Sequence, residues 1–158
     1  MKQGQAFFLG FLSGAGVLLA AVIVMMPRMM ITTHESRYED VDQTVEALKA
    51  AIHKEGWRSP GVRNISATIT GEGVAFAPAI RIVELCKADY AARVLLTNPE
   101  VSTLMPCAWG VYRDKDGKVR IAGMNMGLMG RVFGGNIARV MSDKVAVEEA
   151  RMLEAVVK

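Results

Sequence analysis

The side chains best equipped for chemistry in this chain carry sulfur. Of its 158 residues, 11 are methionine and two, Cys86 and Cys107, are cysteine. Met105, Met124, Met126 and Met129 gather around Cys107 and the glycine-interrupted segment GMNMGLMGRVFGG, residues 123–135. Thiolates and thioethers are soft ligands suited to Cu(I), and methionine can be an axial ligand to haem iron. Cys86, Cys107, Met105, Met124 and Met126 are therefore the candidate ligand-binding residues, with copper or haem as the cofactor such a set would take. Met124 and Met126 are two apart, which on a strand points both the same way. A plainer reading stands beside this one. Methionine fills irregular gaps in cores or lines protein interfaces, and buried thiols behave as small hydrophobes. Two cysteines also allow one disulfide or a reversible redox pair, provided their Cα atoms come within about 7 Å. His34, just beyond the N-terminal apolar run, and His53, on the polar side of a helix, read as surface residues. No CxxCH is present, so covalent c-type haem attachment is not encoded.

Enzyme signatures are missing. The chain has no P-loop, no GxGxxG after a strand, no HExxH and no GxSxG. Glu84 and Asp89 flank Cys86 but have no evident partner for acid–base work. The chain reads more as a binding protein than as an enzyme.

The elements that must position the sulfurs follow from patterning. Ile31–His34 reads as a short strand. Ser36 to Glu39 fits the S-x-x-E capping box, and Val41, Val45, Leu48 and Ile52 recur behind it at helical spacing up to Gly56. Ile65, Ala67 and Ile69 alternate, which predicts a strand ending near Gly71. Ile80–Leu85 is a second candidate strand with Cys86 at its end, and 87–96 a helix stopped by Asn98-Pro99. Strands at 105–113 and 118–122 are joined by Asp114-Lys115-Asp116-Gly117, a hairpin signal. A loop then leads from Gly123 into a long final helix, with Ile137, Val140, Met141, Val145 and Leu153 on its core side. Consecutive strands with helices beside them predict a two-layer α+β domain on an antiparallel sheet.

Residues 1–30 have a different character. From Ala6 to Met26 the chain holds 21 uncharged residues, 17 of them apolar. That length of helix crosses a hydrocarbon core of about 30 Å. The run exceeds a signal-peptide core, and bulky methionines replace a cleavage site at its exit. It reads as an uncleaved single-span anchor of the inner, cytoplasmic membrane, with the domain at 31–158 on the periplasmic, extracytoplasmic side. Gly10 and Gly14 form a GxxxG pair that would let two such helices approach as a homodimer. The pI near 9 is misleading for the domain. Beyond Arg28 there are 17 Lys and Arg against 16 acids and no basic run, which argues against nucleic acid as a partner.

Two segments resemble a known family. Glu84-Leu-Cys-Lys-Ala-Asp-Tyr-Ala-Ala is similar to the hydrophobic-Cys-Asn-Pro-x-x-Ala segment of the domain of unknown function 302 family. Asn98-Pro-Glu-Val-Ser-Thr-Leu-Met-Pro-Cys-Ala-Trp is similar to that family's Leu-Pro-Cys segment. The helix after Ser36 resembles its opening, and the likeness spans about residues 33–155. It departs at Lys87-Ala88, where the family often has Asn-Pro. The resemblance implies an antiparallel sheet curved against a long C-terminal helix, as in the TATA-binding-protein-like fold, and no established catalytic activity. It also implies a shared small pocket at one sheet edge bearing Cys86 and Cys107. The expectation is a membrane-anchored binding domain that holds a small ligand, soft metal or haem, or senses redox state through its thiols. The alternative is a structural interaction module of a membrane complex with no ligand of its own.

Overall fold

The structure, a computed structural model, describes residues 24–26 and 28–158. Most of the apolar run and the Gly10/Gly14 pair lie outside these residues. Among the described residues no helix is long and apolar enough to cross a membrane.

Five strands form one antiparallel sheet. They are β1 (Ile31–Glu35), β2 (Val62–Asn64), β3 (Ile80–Leu85), β4 (Cys107–Arg113) and β5 (Val119–Met124), in the order β1-β5-β4-β3-β2. Helix α1 (Val41–Lys54) packs on β3 and β4. The others are α2 (Ile65–Gly71), α3 (Ala88–Leu95), α4 (Met126–Phe133) and the short α5 (Gly135–Ile137). Helix α5 continues through a π-helical stretch, Ala138–Val145, into α6 (Ala146–Glu154). Period-two alternation gives each long strand one core face. Val83 and Leu85, Cys107, Trp109 and Val111, and Val119 and Ile121 are all buried under the helical layer. Leu48, Ile52, Met129, Met152 and Val156 fill the helical side of this core.

Helix α1 begins one turn later than the capping box predicts. Asp40 is its N-cap, accepting from the Gln43 amide at 2.9 Å. Ser36 is instead drawn into the core edge, 2.9 Å from the Thr44 hydroxyl, and pairs with Val157 near the end of the chain. At its other end α1 closes with Gly56 at φ +75° and paired backbone bonds, Gly56 N–H to His53 and Trp57 N–H to Ile52. This Schellman motif turns Trp57 back onto the core.

Two sequence expectations are corrected. Ile65–Gly71 is a helix, not a strand. The Asn64 side chain caps it by accepting from the Ala67 amide, and none of its residues is buried. Alternation selects a strand only when one face has a core to meet, and here a strong local cap decides. The segment after Gly123 is likewise no loop, because Asn125 caps α4 by accepting from the Leu128 amide.

Two glycines are required by close approach. The Trp109 indole lies across Gly123 on the neighbouring strand, and a Cβ there would meet it at 2.5 Å. At Gly130 a Cβ would run into the Ser142 hydroxyl and come 2.9 Å from the Ser142 backbone nitrogen. Helix α4 therefore lies directly against the π-helical stretch. Gly130→Ala is expected to lower stability by about 1–3 kcal/mol through overpacking, read as a drop in urea midpoint. An unchanged midpoint would show that the two helices separate freely.

Candidate functional site

Four sulfur-bearing residues line one small cavity at the end of the sheet where β3 stops and β4 starts. Cys86, just past β3, is held by reciprocal backbone bonds with Arg58, of 2.8 and 2.9 Å. Cys107 opens β4 opposite Leu85 and points into the core. Met105 precedes it across a cis Met105–Pro106 peptide bond. Above them the π-helical stretch brings down Met141 and Val145. Together Cys86, Met105, Cys107 and Met141 line one cavity of about 20 Å³, with Trp57 and Tyr90 in its walls. Both cysteines are free thiols, Cys107 buried and Cys86 half-buried. Burial, then the nearby Glu149 and Cys86, push the Cys107 thiol up to about 12, so at neutral pH it holds its proton firmly.

At the rim of this cavity Glu148 gathers three donors. It accepts from the Trp57 indole at 2.6 Å, the Lys87 ammonium at 2.8 Å and the Tyr90 hydroxyl at 2.6 Å. The Lys87 ammonium also stands 4.7 Å from the centre of the Tyr90 ring. Burial alone would raise the Glu148 carboxyl, but the bonds from Lys87, Tyr90 and Trp57 outweigh it and hold the group down to about 2. The cluster ties α6, α3 and the turn after α1 into one wall.

Glu149, the next residue, has the opposite environment. It is 7% exposed, and its carboxyl has no hydrogen-bond partner among the described residues. Burial pushes its carboxyl up to about 8. It occupies a core position on the final helix, four residues after Val145 and three before Met152. Its carboxyl lines a groove of about 350 Å³ between β1, the β5–α4 corner and α6. Met124, Met126, Ala146, Ala150, Leu153 and Val157 supply the groove's apolar surface. His34 stands exposed at its edge.

The five residues singled out from the sequence therefore divide. Cys86, Cys107 and Met105 share the small cavity, while Met124 and Met126 line the groove instead. They lie on either side of Asn125, one ending a strand and the other starting a helix, so strand spacing does not apply to them. Met129 is core, 1% exposed. The sequence reading missed Met141, Trp57, Tyr90, Lys87 and the two glutamates. A usable signal was present: counting four from Val145 along the core stripe lands on Glu149, a carboxyl where an apolar residue belongs. Leu153, expected on that stripe, is half-buried, and Met152 is the residue it buries.

Sheet order, helical layer and buried faces define an α+β domain on a five-stranded antiparallel sheet. The family model of the domain of unknown function DUF302 matches residues 32–158, and the chain belongs to that family. It is similar to a solved structure described as an uncharacterized conserved protein DUF302 from Bacillus stearothermophilus. The TM-score is 0.71 at 21% identity, covering 80% of this chain and 98% of that one. At that identity the likeness establishes the fold. Among curated proteins none matches the chain.

Proposed function

We propose that this domain is a membrane-anchored soft-metal binding module that takes one Cu(I) ion between Cys86, Met105, Cys107 and Met141. The observation that carries the proposal is that four sulfur-bearing residues from three separate segments line one ion-sized cavity. Thiolates and thioethers prefer Cu(I) over harder ions. A cavity of about 20 Å³ has no room for a porphyrin, which favours the ion over haem. Binding must displace the Cys107 proton, so affinity should climb about tenfold per pH unit for each proton released.

The test is an anaerobic Cu(I) titration of the full chain against a chromophoric chelator. One ion per chain is expected, with loss of at least 100-fold in affinity in the Cys86→Ser, Cys107→Ser double variant. Met141→Leu should weaken binding about tenfold, while Met124→Leu should leave it unchanged. Equal binding by the double cysteine variant would sink the proposal. So would binding that does not depend on pH.

The anchor is supported by the uncharged run Ala6–Met26, and Gly10 and Gly14 support pairing of two such helices. We place the domain on the extracytoplasmic side of the inner membrane, its sheet curved against the C-terminal helix in a TATA-binding-protein-like manner. A reporter active only in the cytoplasm, fused after Lys158, should stay silent. A second reading, an interaction module, draws on exposed Leu96, Val132 and Phe133. Leu96 caps α3 and Val132 and Phe133 end α4, and Asn136, three residues after Phe133, bonds the Arg93 carbonyl and the Thr97 hydroxyl beside Leu96.

A further inference from the structure

We propose that the groove beside α6 is a second binding site, which takes a small organic ammonium ion with its cationic head on the Glu149 carboxylate. The apolar body would lie along Met124, Ala150 and Leu153.

Three observations converge. First, Glu149 is 7% exposed, lines the groove and has no hydrogen-bond partner among the described residues. Its oxygens are not among the side-chain atoms sealed from solvent without a partner, so the carboxyl is open to a partner entering through the groove. Second, the charge of the groove selects that partner. Its described lining holds Glu149 and Glu154 with His34 at the edge, and no lysine or arginine. Arg37 stands nearby on the Glu154 and Val157 carbonyls, but the lining itself offers an entering anion two acids and an entering cation a carboxylate at Glu149. Third, the volume of about 350 Å³ falls at the small end of ligand sites, and the walls are mainly aliphatic and thioether. Such walls suit a compact apolar body, and polarizable sulfur tolerates a nearby cation.

Gly123 and Thr32 pair across β5 and β1, and Gly127 sits against the Ala146 methyl. Gly127 and Ala146, both in the groove lining, thus leave little side-chain bulk where sheet and helix meet. The raised proton affinity of Glu149 fits a site that is neutral when empty and ionises when an ammonium arrives.

The groove and the sulfur cavity share no lining residue, although Glu149 lies near Cys107, and methionine methyl groups report on each. In the full chain labelled with 13C at the methionine methyls, we would titrate benzylammonium, benzyl alcohol and benzoate at pH 7. Benzylammonium is expected to shift the Met124 and Met126 signals while leaving Met105 and Met141 in place. It should bind at least tenfold more tightly than benzyl alcohol, with benzoate weakest. Glu149→Gln, an isosteric change, should bring benzylammonium down to the level of benzyl alcohol. Ala150→Trp, at an exposed wall position, should block all three probes. Tighter binding of benzoate would overturn the proposal. So would benzylammonium binding that Glu149→Gln leaves unaltered, or an absence of any shift at Met124 and Met126.

Discussion

Glu149→Gln is expected to stabilise the chain at pH 8 and to leave it almost unchanged at pH 4. The carboxyl sits among Val145, Met152 and the sheet, where burial raises it from an ordinary value near 4.5 to about 8. Below pH 4.5 the folded and unfolded chains both hold the proton, so its burial carries no titration penalty. Between 4.5 and 8 only the unfolded chain releases it, and stability declines with rising pH. Above pH 8 the decline is complete. A displacement of that size is worth at most about 5 kcal/mol. Glutamine keeps the shape, never ionises and removes this slope. Urea denaturation of the full chain and the variant at pH 4 and pH 8 measures it. Equal stability differences at the two pH values would show that the carboxyl reaches water in the folded state.

The second large effect comes from its neighbour. Glu148→Ala is expected to cost about 2–4 kcal/mol, because removing one partner of a buried, hydrogen-bonded pair strands the others. The Lys87 ammonium, Tyr90 hydroxyl and Trp57 indole N–H would all lose their acceptor. The Glu148 and Lys87 side chains are 13% and 24% exposed, which places the cost below that of a fully buried pair. The pH sign is opposite to that of Glu149. Glu148 is held down to about 2, so its contribution is whole above 4.5 and is lost as pH falls toward 2. Adjacent glutamates thus bend the stability profile both ways, and together they favour a maximum near pH 4.5–5. Denaturation profiles of the wild-type chain and Glu148→Ala across pH 2–9, followed by tryptophan fluorescence, test this. If the variant shows the same acid slope as the wild type, Glu148 is not the group responsible.

How far the sequence could be read depended on the kind of signal. Strand β3 was legible to the residue, because Ile80–Leu85 is β-branched and bounded by breakers. The Asp-Gly hairpin between β4 and β5 was legible because Gly117 needs φ +79°. The same kind of local pattern misled at Ile65–Ile69, where alternation had no core to meet and the Asn64 cap made a helix. It misled again at Ser36, whose hydroxyl went to Thr44 and the chain end rather than to the helix start.

The sites were less legible than the fold. Cys86 and Cys107 are 21 positions apart in sequence, and their joining rests on the pairing of β3 with β4. Met141 reaches the same cavity only because the final helix crosses that end of the sheet in π-helical form. No spacing in the chain announces this. Met124 and Met126, adjacent to Cys107 by composition, are carried to another site by the turn at Asn125.

Local chemistry, then, was determined by the sequence alone: which segments are β-branched, which turns need glycine, where apolar residues recur, and that sulfur is abundant. The tertiary structure decided which of these sulfurs meet, and it split one acidic pair into a tightly held carboxylate and an unpartnered buried acid. The physical reason is that environment sets the proton affinity and partners of a side chain, and environment is built from residues far apart in the chain. Glu148 and Glu149 are chemically identical and adjacent. Successive helical residues project about 100° apart, so one meets three donors at a rim and the other an apolar-walled groove.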